Sequence, residues 1–358
     1  MLELEKLPFV FVVGAARSGT TLLQMILDAN PSVIFPLESK LIVHLKQKYS
    51  KVVNWTDKLI DEFIIDLYKE RTSFAIFWNI NANELRGNIR SFPINKLSFG
   101  ILCKIIYLSY SSPFTKEKIT LIGDKNPAYS VFIKELLEIF PDAKFIHVVR
   151  DYRDNVVSNR RTLRTKEINV LAQRWKIYNK LIELAKQDKS KNFYTLRYED
   201  LVNDPEYYVS EICKFLDLKF SAEMLNFYEK IKITELRLQA IEEIQPNILQ
   251  PINTSQINKW EKHLSNDEME LIDYICGDFA KKYNYIQRTK SKKWNYSIKS
   301  FIGFYKVCFV IRIKKRYYKM SFLIRDTIRV IEQKLYDWFK FSTYYNYYDF
   351  HFQRKKNK

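Results

Sequence analysis

The stretch FVFVVGAARSGTTLL (Phe9–Leu23) constrains the fold more than any other part of this chain. Five apolar residues without a polar interruption read as a strand buried on both faces, which is the mark of a parallel sheet. The glycine-bounded turn Gly14–Gly19 follows at once, and Leu22–Ala29 then has helical spacing. A turn between a buried strand and a helix N-terminus gathers oriented N–H groups and the positive end of the helix dipole. Such a turn cradles an anion.

Three further apolar runs, Ile119–Gly123, Lys144–Val149 and Asn192–Arg197, alternate with helical patterns at Ala128–Phe140, Ile168–Lys186 and Glu206–Leu216. The alternation predicts the α/β class, a P-loop-type parallel sheet flanked by helices. Ligands of such sheets sit at the C-terminal strand ends. The residues found there are Gly14–Thr21, Asp124-Lys125-Asn126-Pro127, Arg150-Asp151 and Tyr198-Glu199-Asp200.

Against the nucleoside-triphosphate pattern G-x-x-x-x-G-K-[ST], Gly14, Gly19 and Thr21 fit, but Thr20 stands where the lysine belongs. That lysine reaches the β- and γ-phosphates, so its loss argues against an ATPase or GTPase. Arg17 lies inside the turn instead, and its planar fork suits a pair of phosphate or sulfate oxygens. The ligand expected here carries less charge than a triphosphate and needs no metal.

Four segments together give a family resemblance. "RSGTTLL" resembles the 5′-phosphosulfate loop of sulfotransferases that use 3′-phosphoadenylyl sulfate (PAPS), and "VVRDYRDNVVSNRR" resembles their 3′-phosphate motif. "RYEDLVNDPE" is similar to a third family segment, whose tyrosine lies at the nucleotide. "QPINTSQINKWEKHLS" resembles the closing segment of tyrosylprotein sulfotransferases and their bacterial relatives. The resemblance runs in order from about Phe9 to Tyr285. It implies that Arg17, Ser18, Gly19, Thr20 and Thr21 meet the 5′-phosphosulfate and that Arg150 and Ser158 hold the 3′-phosphate, a group ATP lacks. It adds Tyr198, Asn258 and Lys259 to the nucleotide site. Asn258 departs from the serine often found before the Lys-Trp pair, and Thr162, beside Arg160 and Arg161, stands where the family has a basic residue.

The resemblance also implies the catalytic set: Glu38 in "FPLESKLIV" as the base, with Lys125 and Arg17 at the departing phosphate. Each residue has a plainer alternative. Glu38 could open a helix Ser39–Lys48, Lys125 could be a solvated turn residue, Arg150-Asp151 a surface ion pair, and Tyr198–Asp200 a helix cap. His44 is the second candidate base, and His147, inside a strand, reads as a core histidine. The expected reaction is sulfuryl transfer to a hydroxyl of a glycan, lipid or peptide. The alternatives are a P-loop kinase or NTPase, or a non-catalytic membrane- or glycan-binding protein with a degenerate loop.

Charge divides the chain. Residues 288–358 hold 19 Lys/Arg and four acids, whereas residues 1–287 hold 40 and 37. This predicts a near-neutral catalytic domain, 1–287, and a basic, aromatic-rich amphipathic helical extension, 288–358. The extension has apolar residues at helical spacing (Ile298, Phe301, Ile302, Tyr305, Cys308, Phe309, then Ile324, Ile328, Ile331, Leu335, Trp338) and ends in Tyr344–Phe352 and Arg-Lys-Lys. It packs on the body, lies on an anionic membrane surface or steers an acidic glycan acceptor; no recognised module points to nucleic acid. The four cysteines are scattered and read as buried thiols. Acids near the N-terminus do not suit a secretory signal, so a cytoplasmic location, peripheral at the inner membrane face, is the expectation.

Overall fold

The computed structural model describes residues 2–69, 78, 80–162, 165–230, 246–290, 293–325, 327 and 328. Ile331, Leu335, Trp338 and the Tyr344–Phe352 stretch of the extension lie outside these. The chain forms two compact units: an α/β unit, Leu7–Pro36 with Ser112–Arg312, and a helical unit, Met1–Lys6 with Leu37–Ser111 and Ile313–Lys358.

The α/β unit is built on five parallel strands: β1 (Phe9–Val13), β2 (Val33–Ile34), β3 (Leu121–Lys125), β4 (Lys144–Val149) and β5 (Phe193–Arg197). Their order is β2-β3-β1-β4-β5, with Phe11 opposite Asp124, Val13 opposite His147 and Val149 opposite Arg197. β1 is central, and the chain leaves it on opposite sides to reach β3 and β4, so a crevice opens at its C-terminal end.

The alternation within β1 explains why both faces are covered. Val10 and Val12 enter an aliphatic layer with Leu23, Ile26, Leu27, Ile146 and Leu196. Phe9 and Phe11 enter an aromatic layer instead: Phe9 stacks on Phe140 at 4.5 Å, Phe11 on Phe145 at 5.5 Å, and Phe145 on Phe193 at 4.7 Å. Offset aromatic contacts of this kind add to the burial of their area. His147 is fully buried in β4, its Nε2 2.8 Å from Asn179 Oδ1; it is a core residue, as its position suggested.

β3 sits two residues later than its apolar run predicts, and it contains Asp124 and Lys125. Both polar side chains are buried because both are bonded: Tyr129 Oη donates to Asp124 at 2.7 Å, and Lys125 donates to Thr21 Oγ1 at 3.0 Å. The helix expected over Ala128–Phe140 is broken. A 3-10 turn, Pro127–Val131, is capped by the Asn126 side chain, and an α-helix, Ile133–Ile139, follows across the non-helical Phe132.

The helical unit contains Leu41–Tyr49, Asp57–Lys69, Ala82–Arg90 and Phe99–Leu108. Asn81 and Ser98 cap the last two with their side chains, which satisfies amide groups left open at helix N-termini. The aromatics of the motifless stretch Ser50–Ser112 make its core: Phe63 meets Tyr49 edge-on at 5.0 Å, and Trp78 meets Tyr107 at 4.9 Å. Arg325 is buried here and donates to the His44 carbonyl at 2.7 Å. Phe322 lies against the His44 ring at 5.2 Å. The helix Leu41–Tyr49 begins three residues after Glu38, which therefore precedes it in irregular chain and is half-buried. Three of the four cysteines (Cys103, Cys213, Cys276) are buried, and all four are free thiols.

Candidate nucleotide site

The turn after β1 is held by side chains on its carbonyls. Asn155 and Asn159 both donate to Ala16 O, at 2.8 and 3.0 Å, and Arg150 Nη1 donates to Arg17 O at 3.1 Å. Asn155 also donates to Ser18 Oγ at 3.1 Å. On the other side Ser130 Oγ accepts from Gly14 N and donates to Gly14 O. A loop clamped mainly by its C=O groups keeps its shape with little use of its N–H groups, the donors an anion needs. Arg17 adopts a left-handed backbone, φ +70°. That conformation is strained for a residue with a Cβ and gathers at functional turns.

Gly19 is required twice over. Its φ is +91°, and an added Cβ would stand 2.4 Å from the Tyr198 ring. Gly19→Ala is therefore expected to cost about 1–3 kcal/mol of stability by overpacking and strain. The check is the urea midpoint, with nucleotide affinity falling alongside; an unchanged midpoint would show that Tyr198 yields.

The motifs at successive strand ends meet. Arg17 Nε donates to Ser158 Oγ at 3.2 Å, which joins the turn to the helix Tyr152–Thr162. Arg150, only 7% exposed at the end of β4, donates through Nη2 to Gln256 O at 2.6 Å and stands 4.9 Å over the Tyr198 ring. Its Nε is buried and has no partner among the described residues. Burial pushes the Tyr198 hydroxyl pKa up, against the pull of Arg150. Lys125, 2% exposed, reaches Thr21 on the first turn of the next helix.

The closing segment is fixed by Asp154, whose carboxylate accepts from Asn258 N at 2.8 Å and Trp260 N at 3.0 Å. Burial raises its pKa, opposed by Arg150 and these amides. Arg153 is sandwiched by the rings of Tyr152 and Trp260 at 4.9 and 4.2 Å. Asn258 is left-handed, φ +57°. Asn tolerates that region far better than most side chains, which accounts for Asn at this position. Lys259 has its pKa lowered, first by burial and then by Arg161 and Arg150. Beyond Ser158, Arg160 pairs with Glu268 and donates to His263 O, whereas Arg161 Nη2 lies 2.9 Å from His263 Nε2 and contributes its charge near Lys259.

Arg17, Ser18, Gly19, Thr20, Thr21, Lys125, Arg150, Ser158, Tyr198, Asn258 and Lys259 all belong to the α/β unit, and Glu38 belongs to the helical unit. Asn155, Asn159, Ser130 and Asp154 are the supporting residues that motif reading missed. Their signal was present for two of them: in "NVVSN" the spacing puts Asn155, Ser158 and Asn159 on one helix face. A second brace also went unread. Glu199 accepts from Asp151 N at 2.9 Å and from Tyr285 Oη at 2.6 Å, and burial raises its pKa.

Comparison with known proteins bears on the family and the fold. The chain is similar to protein-tyrosine sulfotransferase A of Caenorhabditis elegans, 24% identical over 75% of this chain and 65% of that protein. It is 26% identical to the Drosophila melanogaster protein-tyrosine sulfotransferase over 73% of this chain and 48% of that one. The chain thus spans between about half and two thirds of these relatives' length. Among solved structures, the sulfotransferase domain of the Synechococcus PCC 7002 olefin synthase has the same fold, with a TM-score of 0.53, 22% identity, and coverage of 78% of this chain and 94% of that one. Residues 8–222 match the model described as the sulfotransferase family, and the chain belongs to that family.

Proposed function

We propose that this protein moves the sulfuryl group of PAPS to a hydroxyl acceptor. The observation that carries the reading is the cationic cluster of Arg17, Arg150, Arg161 and Lys259. In it Arg17 is bonded to Ser158, and the charge on Lys259 is disfavoured first by burial and then by Arg161 and Arg150. A polyanion with two separated phosphates relieves that repulsion, and the buried Arg150 Nε offers a donor with no other use. A triphosphate lacks the 3′-phosphate that this second half of the cluster suits.

In this reading Arg17, Thr20, Thr21 and the loop N–H groups hold the 5′-phosphosulfate, and Arg150, Ser158 and Lys259 hold the 3′-phosphate. Tyr198 and Asn258 flank the nucleotide. The acceptor oxygen forms a new bond to sulfur as the bond to the 5′-phosphate oxygen breaks. Glu38 takes the acceptor proton, and Lys125 with Arg17 meets the charge growing on the departing phosphate. The chain's work is positioning and electrostatic stabilisation, as in phosphoryl transfer. No metal ion is assigned a role.

The names of the relatives make tyrosine in proteins the first acceptor to test, with glycan and lipid hydroxyls after it. Full-length protein incubated with radiolabelled PAPS should place label on a tyrosyl peptide. Label on a sugar or lipid instead would keep the reaction and change the acceptor. Label on no hydroxyl at all would leave only nucleotide binding and refute the enzymatic reading.

A further inference from the structure

The helix Trp294–Lys319 carries a face that the fold does not use. Trp294, Ile298, Phe301, Ile302, Tyr305 and Phe309 recur every three or four residues and line one side. All six are exposed, Phe301 by 62% and Phe309 by 61%. The opposite side is the one that packs. Tyr296, Gly303 and Val307 are buried there, and Gly303 approaches the Asn169 backbone so closely that a Cβ would stand 2.7 Å from its carbonyl. Asn169 and Gln173 donate to the Lys299 and Ser300 carbonyls at 2.8 and 3.1 Å, Tyr296 Oη donates to Asp267 at 2.7 Å, and Lys306 pairs with Glu167 at 2.7 Å. The helix is therefore anchored on one side and offers a fixed hydrocarbon stripe on the other. Contiguous exposed apolar patches of this kind mark interaction sites.

Charge selects the occupant. The helix has seven Lys/Arg and no acid. Among the described residues Arg312, Lys314, Lys315, Arg316 and Lys319 form no ion pair. We propose that this face docks on the surface of an anionic lipid bilayer, with the helix parallel to the membrane plane, its apolar stripe in the headgroup boundary and its cations on the lipid phosphates. No helix among the described residues is long and apolar enough to cross a membrane, so the geometry is that of a helix lying on it. A second copy of the chain fits less well, since mating two such faces brings like charges together. Nucleic acid would pair with the cations and stack on the aromatic rings, but it offers nothing to Ile298 and Ile302, which have no π-face.

The test is vesicle flotation of the full chain near physiological salt, using phosphatidylcholine vesicles with and without phosphatidylglycerol. Wild type should float with the anionic vesicles and remain largely behind with the neutral ones. Phe301→Ser/Phe309→Ser changes only exposed side chains; it should keep the wild-type melting temperature and lose at least tenfold in partitioning, and Arg312→Glu should lose severalfold. The proposal is overturned if wild type fails to float, or if the double variant floats as wild type does. It is equally overturned if the double variant abolishes only a concentration-dependent dimer, or only binding to a single-stranded oligonucleotide, with no vesicle binding in the parent.

Discussion

Arg150→Ala should weaken binding of 3′-phosphoadenosine 5′-phosphate by about a hundredfold or more, which at about 1.4 kcal/mol per decade is roughly 2.8 kcal/mol. Two effects add. The guanidinium supplies charge-assisted bonds, worth about 1.5–3 kcal/mol each. It also clasps the carbonyls of Arg17 and Gln256, so its loss loosens both the phosphate turn and the closing segment. AMP, which has no 3′-phosphate, should lose less, and the preference between the two nucleotides should collapse. Arg150→Lys keeps a charge but not the fork and should recover only part of the affinity. Titration calorimetry on the three proteins decides the matter. If the wild type already binds AMP as tightly as the bisphosphate, the assignment of this arginine is wrong.

Glu38→Gln is expected to lower kcat by about 10²–10⁴, the usual contribution of a general base. Its affinity for the bisphosphate nucleotide should stay within about threefold of wild type, because the interaction lost belongs to the transition state. His44→Ala is the informative partner. The His44 ring meets Arg325 Nη1 through Nδ1 at 3.3 Å and Phe322 edge-on, so removing it should cost stability and leave most of the turnover per folded molecule. Turnover that survives in Glu38→Gln but vanishes in His44→Ala would exchange the two roles.

The legible parts of this fold were those where one physical signal dominates. β1 and β4 read directly, residue for residue, because strands buried on both faces are near-continuous apolar runs, and Lys144 at the start of β4 and His147 within it do not break the run. β3 was read two residues early because Asp124 and Lys125 resemble a loop until Tyr129 and Thr21 are seen to satisfy them. β2, only Val33–Ile34, is too short for any period. The core of the site was legible because glycine spacing, an arginine inside the turn and a strand-end arginine each have specific chemistry. Its supports were not, since Asn155 and Asn159 act on a backbone carbonyl far away in sequence. The aromatics of Ser50–Ser112 sit in no motif, and aromatics can line a pocket as well as fill a core. Several of them are core, which composition alone does not distinguish.

The position of β1 between β3 and β4 also has a consequence during synthesis. Phe9–Val13 leaves the ribosome more than about a hundred residues ahead of both of its hydrogen-bonded neighbours, Leu121–Lys125 and Lys144–Val149. At roughly 5–20 residues per second the delay is on the order of ten seconds. Throughout it the nascent chain exposes an unpaired run of alternating phenylalanine and valine, the kind of segment that self-associates. Recombinant yield should then depend on translation speed and on chaperones that shield this strand until Lys144–Val149 emerges.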